Sequence, residues 1–170
     1  MTIHSGHPFL PPDDERRPVR RLRGRLPSGV TILATGAGAE RAGLTVSSLL
    51  VVDGEPARIL ALIDEESELW PALRRTGVAA MSALGWQHRM VADVFAGSAP
   101  SPGGTFRTGS WVDTDWGPVL ADCPAWGGCR VLGEPRPVGW SVLLELDLEH
   151  VELGAEGDPL VHHRGRYLRP

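Results

Sequence analysis

Apolar and polar positions along the chain form short runs that predict many strands and few helices. A β-branched run from Val30 to Thr35 ends at Gly36 and Gly38, and glycines of this kind punctuate strands. The same pattern predicts further strands over Leu44–Val52, Arg58–Ile63, Val78–Leu84, Val119–Leu120, Ala125–Leu132, Ser141–Val151 and His162–Leu168. Many strands with few helices favour a barrel.

Two segments have the spacing of apolar residues that is typical of a helix. Ser67 is predicted to be the N-cap of the first, and Gly77 ends it. The second is a short amphipathic helix over His88–Phe95. The stretch from Ser98 to Gly117 is rich in serine, proline and glycine, which predicts a long loop, and such loops are often functional.

The length of 170 residues is that of one ordinary domain. Residues 1–20 are predicted to form a flexible N-terminal arm, and residues 21–170 to form the domain. Six arginines lie between Arg16 and Arg25. They are expected either to touch an anionic ligand or a partner subunit, or to be a solvated arm at the start of a short helix.

Charge and hydropathy exclude several classes of partner. The formal net charge is −4, which argues against a general nucleic-acid binder. No window approaches the roughly 20 apolar residues of a membrane span. The first residues contain no apolar segment typical of a secretory signal, so a cytoplasmic location is expected.

The reactive side chains present limit the chemistry. All 17 basic residues are arginines, so a lysine Schiff base or a P-loop lysine is excluded. Cys123 and Cys129 match no redox or zinc spacing and are expected to be buried, reduced thiols. His150, His162 and His163 could form a metal site with them, but His162 and His163 point to opposite faces of a strand. No metal is therefore predicted.

Several short motifs follow one another at the ends of the predicted strands and helices. In chain order they are Gly29-Val30-Thr31, Gly43-Leu44-Thr45-Val46-Ser47-Ser48, Glu55-Pro56, Ser67-Glu68-Leu69-Trp70-Pro71-Ala72-Leu73-Arg74, Ser82-Ala83-Leu84-Gly85, Gln87-His88-Arg89, Phe95-Ala96-Gly97 and Asp158-Pro159-Leu160-Val161-His162-His163-Arg164-Gly165-Arg166-Tyr167. Their order and spacing resemble the flavin-reductase-like family of FMN-binding split barrels. The resemblance extends from about Leu22 to Tyr167.

The resemblance implies a fold, a cofactor and a site. The fold is mainly β, a Greek-key-like FMN-binding split β-barrel with two or three short helices, and it is dimeric. The cofactor is FMN, with FAD possible, and NAD(P)H is the co-substrate. The implied flavin contacts are Thr45, Val46, Ser47, Ser48, Ser67, Ser82, Ala83, Leu84, Gln87, Arg89 and Phe95.

The side chains themselves suit such a cofactor. A flavin needs an apolar slot, hydrogen-bond donors at the edge of its ring and an anion site for its phosphate. Thr45, Ser47 and Ser48 offer hydroxyls at a turn, and Ser67 begins a helix, where an anion binds well. The alternatives are ordinary hydroxyls of a sheet for the first three and a plain helix cap for Ser67.

One departure from the family concerns the nicotinamide side. Members of the family often carry Gly-Asp-His where this chain has Val138-Gly139-Trp140-Ser141. Trp140 is expected to cover the flavin by stacking rather than by hydrogen bonding. Arg164 and Arg166 are expected to share one face of a strand and to bind phosphates, or else to face solvent, with Tyr167 as a C-terminal anchor. The implied nicotinamide-side residues are Gly139, Trp140, His163, Arg164, Arg166 and Tyr167.

Two functions remain open at this point. The first is an NAD(P)H:flavin oxidoreductase that supplies reduced flavin to a partner monooxygenase; its hydride transfer needs positioning rather than a catalytic side chain. The second is an FMN-binding electron-transfer or flavin-carrier protein without NAD(P)H turnover, which the missing histidine favours.

Overall fold

A computed structural model gives the fold and describes residues 18–170. The predicted arm lies outside the described residues except for its last three positions, which are helical. The helices are α1 (Pro18–Gly24), α2 (Leu69–Thr76) and α3 (Arg89–Phe95), with 3-10 turns at Gly38–Glu40, Trp86–His88 and Thr105–Arg107. Within residues 18–170 no helix has the length and apolar character needed to cross a bilayer.

Twelve strands are found in the same part of the chain. They are β1 (Ser28–Gly29), β2 (Thr31–Thr35), β3 (Ala42–Val46), β4 (Leu49–Val52), β5 (Arg58–Ile63), β6 (Val78–Ala83), β7 (Trp111–Thr114), β8 (Gly117–Leu120), β9 (Ala125–Val138), β10 (Ser141–Leu153), β11 (Val161–His163) and β12 (Arg166–Leu168).

Seven of these strands form one antiparallel sheet that curls into a barrel. Its order is β3-β2-β6-β9-β10-β5-β4. The two end strands, β3 and β4, are joined only by Ser47 and Ser48, and three Cα–Cα steps span at most roughly 11 Å. The sheet must therefore curl until its ends meet. The predicted mainly-β barrel with short helices is confirmed.

Strand β2 is buried on both of its faces, because the molecule has two hydrophobic cores. Leu33 points into the barrel, where it belongs to the same cluster as Ile63 of β5 and Leu73 of α2. Ile32 points outward and packs with Phe95 of α3. Both β2 side chains are 0% exposed. Helix α2 therefore packs against the core inside the barrel, and α3 covers part of its outer wall.

The last part of the chain packs against the first. Leu160 is fully buried; its N–H donates to the carbonyl of Leu84, and its carbonyl accepts from the N–H of Val30. Strand β11 then pairs with both β1 and β12 in a small separate sheet. The C-terminal segment thus lies beside the end of β6.

Three predicted elements differ from the structure in their number or connection, and β9 continues from the predicted end at Leu132 to Val138. The single strand expected over Leu44–Val52 breaks at Ser47–Ser48 into β3 and β4, since the chain there leaves β2 and joins β5. The strand expected over His162–Leu168 is the hairpin β11–β12, which turns at Arg164 and Gly165 with positive φ angles of 51° and 78°. The loop expected over Ser98–Gly117 contains β7.

Candidate functional site

The bend between β3 and β4 presents two serines. The hydroxyl of Thr31 donates to the carbonyl of Val46 at 2.8 Å, and the N–H of Leu62 donates to the carbonyl of Ser48 at 2.9 Å. These bonds fix the bend to strands on both sides of it. Ser47 and Ser48 are half-buried rather than enclosed, so polar atoms of the bend remain accessible.

The end of β6 lies beside this bend. Val46 is opposite Thr31, and Thr31 is opposite Ala83. Since neighbouring strands are about 4.8 Å apart, the bend and the end of β6 are separated by roughly 10 Å. The structure therefore brings together two of the motifs that are far apart in sequence.

The turn after β6 adds Gln87 and Arg89. The side chain of Gln87 folds over Gly85, where a Cβ atom would lie 2.6 Å from its Oε1. The guanidinium of Arg89 lies 4.0 Å above the Trp86 ring and donates to the Trp86 carbonyl at 2.8 Å. Gln87 is exposed and Arg89 is half-buried. The turn thus offers an amide and a positive charge on the side of the molecule where β6 ends.

Five other predicted flavin contacts are enclosed by protein. The hydroxyl of Thr45 donates to the carbonyl of Ala92, and the hydroxyl oxygen of Ser82 accepts from the N–H of Leu120. These residues can offer a ligand only main-chain atoms. The five with buried side chains are Thr45, Val46, Ser82, Leu84 and Phe95.

Ser67 is not the N-cap that the sequence predicts. Helix α2 begins at Leu69 with Glu68 at the cap position, and no side chain caps it. The hydroxyl of Ser67 donates to the carbonyl of Asp64 at 2.6 Å, and its N–H bonds to the same oxygen. Ser67 thus belongs to a tight turn with Asp64 that precedes the helix, and the cap position falls one residue later, so the predicted cap is wrong. The end of the helix at Gly77, with a φ of 70°, is confirmed.

The two predicted nicotinamide-side segments lie near opposite ends of β9. Gly139 and Trp140 form a two-residue turn at the tip of the β9–β10 hairpin, and Trp140 is 76% exposed. The C-terminal hairpin lies beside Leu84, near the start of β9, because Trp126 is opposite Ser82. The tip is at the other end of β9.

The C-terminal hairpin differs in detail from the prediction. Arg164 lies in the turn and Arg166 in β12, so the expectation that both share one strand face is wrong. Both side chains are exposed, whereas His163 and Tyr167 are half-buried. Burial, together with the nearby carboxylate of Asp93, raises the pKa of Tyr167 well above its usual value. Tyr167 packs against the outer core, as an anchor would.

The histidines and cysteines are dispersed. The His150 ring packs against Trp116 and Trp126, with ring centroids 5.3 Å and 4.5 Å away, while His162 and His163 lie in β11. Within residues 18–170 no three histidine, cysteine or carboxylate side chains are arranged to hold a metal ion. Both cysteines are buried and free, as predicted, and burial raises the pKa of Cys129 to about 12.

One residue of this region was not predicted. His88 was expected only to begin a helix, yet it is buried below Gln87 and faces Asp122 of the loop after β8. No local sequence pattern links His88 and Asp122, because only the folded structure brings the two residues together.

Comparison with known proteins places the chain among flavin reductases. It is 29% identical to an FMN reductase (NADH), RutF, of Variovorax paradoxus over 94% of this chain and 86% of that protein. It is 32% identical to an NADH-dependent FMN reductase of Streptomyces nodosus subsp. asukaensis over 89% of this chain and 83% of the relative. It is also 30% identical to the reductase component of 4-hydroxyphenylacetate 3-monooxygenase of Thermus thermophilus, over 85% and 90%.

Solved structures share the fold. An NADH:FAD oxidoreductase of Streptomyces globisporus, in complex with NAD and FAD fragments, superposes with a TM-score of 0.80 at 23% identity, covering 94% of this chain and 95% of that chain. A flavin reductase domain protein of Arthrobacter sp. gives 0.79 at 22% identity, covering 89% and 93%.

The family profile described as flavin reductase like domain matches residues 23–169, nearly the whole chain. The flavin-binding oxidoreductase role implied by the sequence motifs is confirmed at the level of the family. The chain belongs to the flavin reductase like domain family.

Proposed function

We propose that this protein is an NADH-dependent FMN reductase whose flavin lies against the β3–β4 bend, the end of β6 and the following turn. The observation that carries this proposal is the juxtaposition of accessible polar groups on one side of a barrel that belongs to this family. The group consists of the side chains of Ser47, Ser48, Gln87 and Arg89 and the main chain of Ala83.

The residues present fit such a cofactor. Ser47, Ser48 and Gln87 carry hydroxyl and amide groups that hydrogen-bond to the edge of a flavin ring. Arg89 carries the positive charge that a phosphate requires. Ser67 has its donors occupied and three carboxylates precede it in sequence, so the phosphate is better placed near Arg89 than at the start of α2.

Hydride transfer to a flavin requires positioning rather than a catalytic side chain. FMN, when bound, supplies the ring system that accepts a hydride from the nicotinamide. The protein holds the two rings in contact and excludes water, and no nucleophile or general base is needed. The same proposal places the reaction in the cytoplasm, where NADH is available.

A homodimer is part of this proposal. Strand β4 lies at the end of the seven-stranded order, and Leu50 and Val51 are 66% and 58% exposed. Apolar side chains exposed along an edge strand are typical of an interface. In a C2 pair, the exposed hairpin tip with Trp140 of one subunit would reach the flavin cleft of the other.

The partner of the reduced flavin is proposed to be a monooxygenase. The support is that one relative is the reductase component of a monooxygenase. The product then leaves the protein as diffusible reduced FMN, which oxygen or the partner enzyme consumes.

The test is anaerobic mixing of the purified protein, FMN and NADH. We expect the visible absorption band of the flavin to disappear over many turnovers, faster with NADH than with NADPH, since the relatives use NADH. The control is the same mixture without protein. FMN that binds but stays oxidised until another reduced protein is added would instead support the electron-transfer or flavin-carrier function.

A further inference from the structure

His88 is the last residue of the 3-10 turn that joins β6 to α3. Its side chain is only 4% exposed, although it directly follows the exposed Gln87. Histidine is seldom enclosed to this degree unless its ring nitrogens have partners. The contacts of both nitrogens therefore indicate what the ring does.

The Nδ1 atom of His88 closes the turn. The N–H of Gly85 donates to Nδ1 at 3.0 Å, and the N–H of His88 donates to the carbonyl of Gly85 at 2.9 Å. These reciprocal bonds tie the first and last residues of the turn together. Because Nδ1 is an acceptor, it bears no proton, and the proton of the neutral ring is on Nε2.

The Nε2 atom of His88 faces a different part of the molecule. It lies 3.2 Å from Oδ2 of Asp122, in the loop between β8 and β9, within ion-pair distance but without the alignment of a hydrogen bond. The backbone of the turn is bonded to the C-terminal segment, where the N–H of Trp86 donates to the carbonyl of Asp158 at 2.8 Å. The turn is thus tied to the C-terminal segment by its main chain, and its His88 ring lies against the β8–β9 loop.

We propose that His88, oriented by Asp122, is a positioning residue for the flavin site. This inference rests on the proposed function. His88 is too enclosed to bind the cofactor itself. It fixes the path of the Gly85–Gln87 backbone. It thereby sets where the main chain at the end of β6 and the side chain of Gln87 meet the flavin. Loss of the Nδ1 acceptor leaves the Gly85 N–H without a partner and releases the turn.

The experiment compares three variants by FMN titration, followed by quenching of flavin fluorescence. His88→Leu retains bulk but has no acceptor, and we expect its FMN affinity to fall roughly ten-fold, the scale of a buried N–H that has lost its partner. His88→Asn places Oδ1 where Nδ1 lies and should recover most of this loss. Asp122→Ala, an exposed change that leaves the core intact, should weaken FMN binding by roughly three-fold.

The controls separate positioning from stability. His150→Leu makes the same substitution in the aromatic stack on the outer wall and should leave FMN affinity unchanged. Circular dichroism and urea unfolding show whether each variant is folded. Rescue by asparagine is the decisive readout, since a ring needed only to fill space would be replaced better by leucine.

Three results would each overturn the inference while leaving the proposed function intact. The first is FMN affinity in His88→Leu equal to that of the wild type. The second is unchanged affinity in Asp122→Ala, and the third is a His88→Asn protein that is folded and as weak as His88→Leu. A wild-type protein that binds no FMN would instead contradict the proposed function itself.

Discussion

Trp140 occupies the tip of a two-residue turn, where its indole is 76% exposed. The turn is feasible because Gly139 adopts a positive φ of 61°. Burying an indole is worth several times a hydrogen bond, so one that extends from a hairpin tip is expected to meet another surface. In the proposed dimer that surface is the open face of the flavin, where the indole and the nicotinamide compete.

Replacing Trp140 with histidine is expected to accelerate steady-state NADH oxidation with FMN by about five-fold. The imidazole leaves the ring face open and adds a hydrogen bond worth about 1 kcal/mol to the nicotinamide. Trp140→Phe is the control, because it keeps a flat ring and should remain slow. An efficient wild type with an unchanged histidine variant would show that Trp140 does not cover the hydride site.

The accessibility of a side chain was predictable from sequence only where it depends on local order. Gln87 stands in a turn directly after a strand, and the structure leaves it exposed, so its flavin contact stays a prediction. Thr45 and Ser82 carry the expected hydroxyls, but those hydroxyls are bonded to Ala92 and Leu120, which lie far along the chain. No local pattern reveals such partners.

At the scale of secondary-structure elements, the β3–β4 bend has two roles: it closes the barrel, and it contributes two serines to the candidate site. The chain pairs with β2 before Ser47 and with β5 after Ser48. One change of direction therefore closes the barrel and leaves these two serines partly accessible. The sequence predicted a single strand here, because apolar residues resume directly after Ser47 and Ser48 and only the change of pairing partner reveals the bend.

Converting Ser47 and Ser48 together to leucine is expected to weaken FMN binding at least roughly ten-fold. The substitution removes two hydroxyls and fills the slot at the ring edge. Ser110→Leu, an exposed position before β7, is the matched control. Wild-type affinity of the double variant in a fluorescence titration would remove these residues from the site.

Most elements were predictable because their signals are local. The strand over Arg58–Ile63 and the helix end at Gly77 are found where the apolar run and the glycine indicate. The hairpin β11–β12 was missed because Arg164 adopts a left-handed conformation that non-glycine residues seldom show.

At the scale of the whole molecule, the exposed apolar residues of β4 predict self-association. The wild-type protein with FMN bound is expected to scatter light as a dimer at micromolar concentration. Leu50→Asp is expected to shift it toward the monomer and to weaken FMN binding at the same time, since a charge in an apolar interface is costly.

The matched control for this variant is Val112→Asp, which adds the same charge at a position of β7 that is 55% exposed. It should remain dimeric. A wild-type monomer that retains FMN would refute the homodimer, and with it the idea that one flavin contacts two subunits.

The contact of Leu160 with Val30 and Leu84 also bears on how the protein is made. The backbones of three segments that leave the ribosome at very different times meet at this fully buried leucine. A nascent chain can form the barrel pairings of β2 and β6 early, but their outer core stays open to water until Leu160 has emerged. The chain therefore completes its outer core only after Leu160 has emerged, and the apolar cleft between Val30 and Leu84 must stay free of aggregation until then.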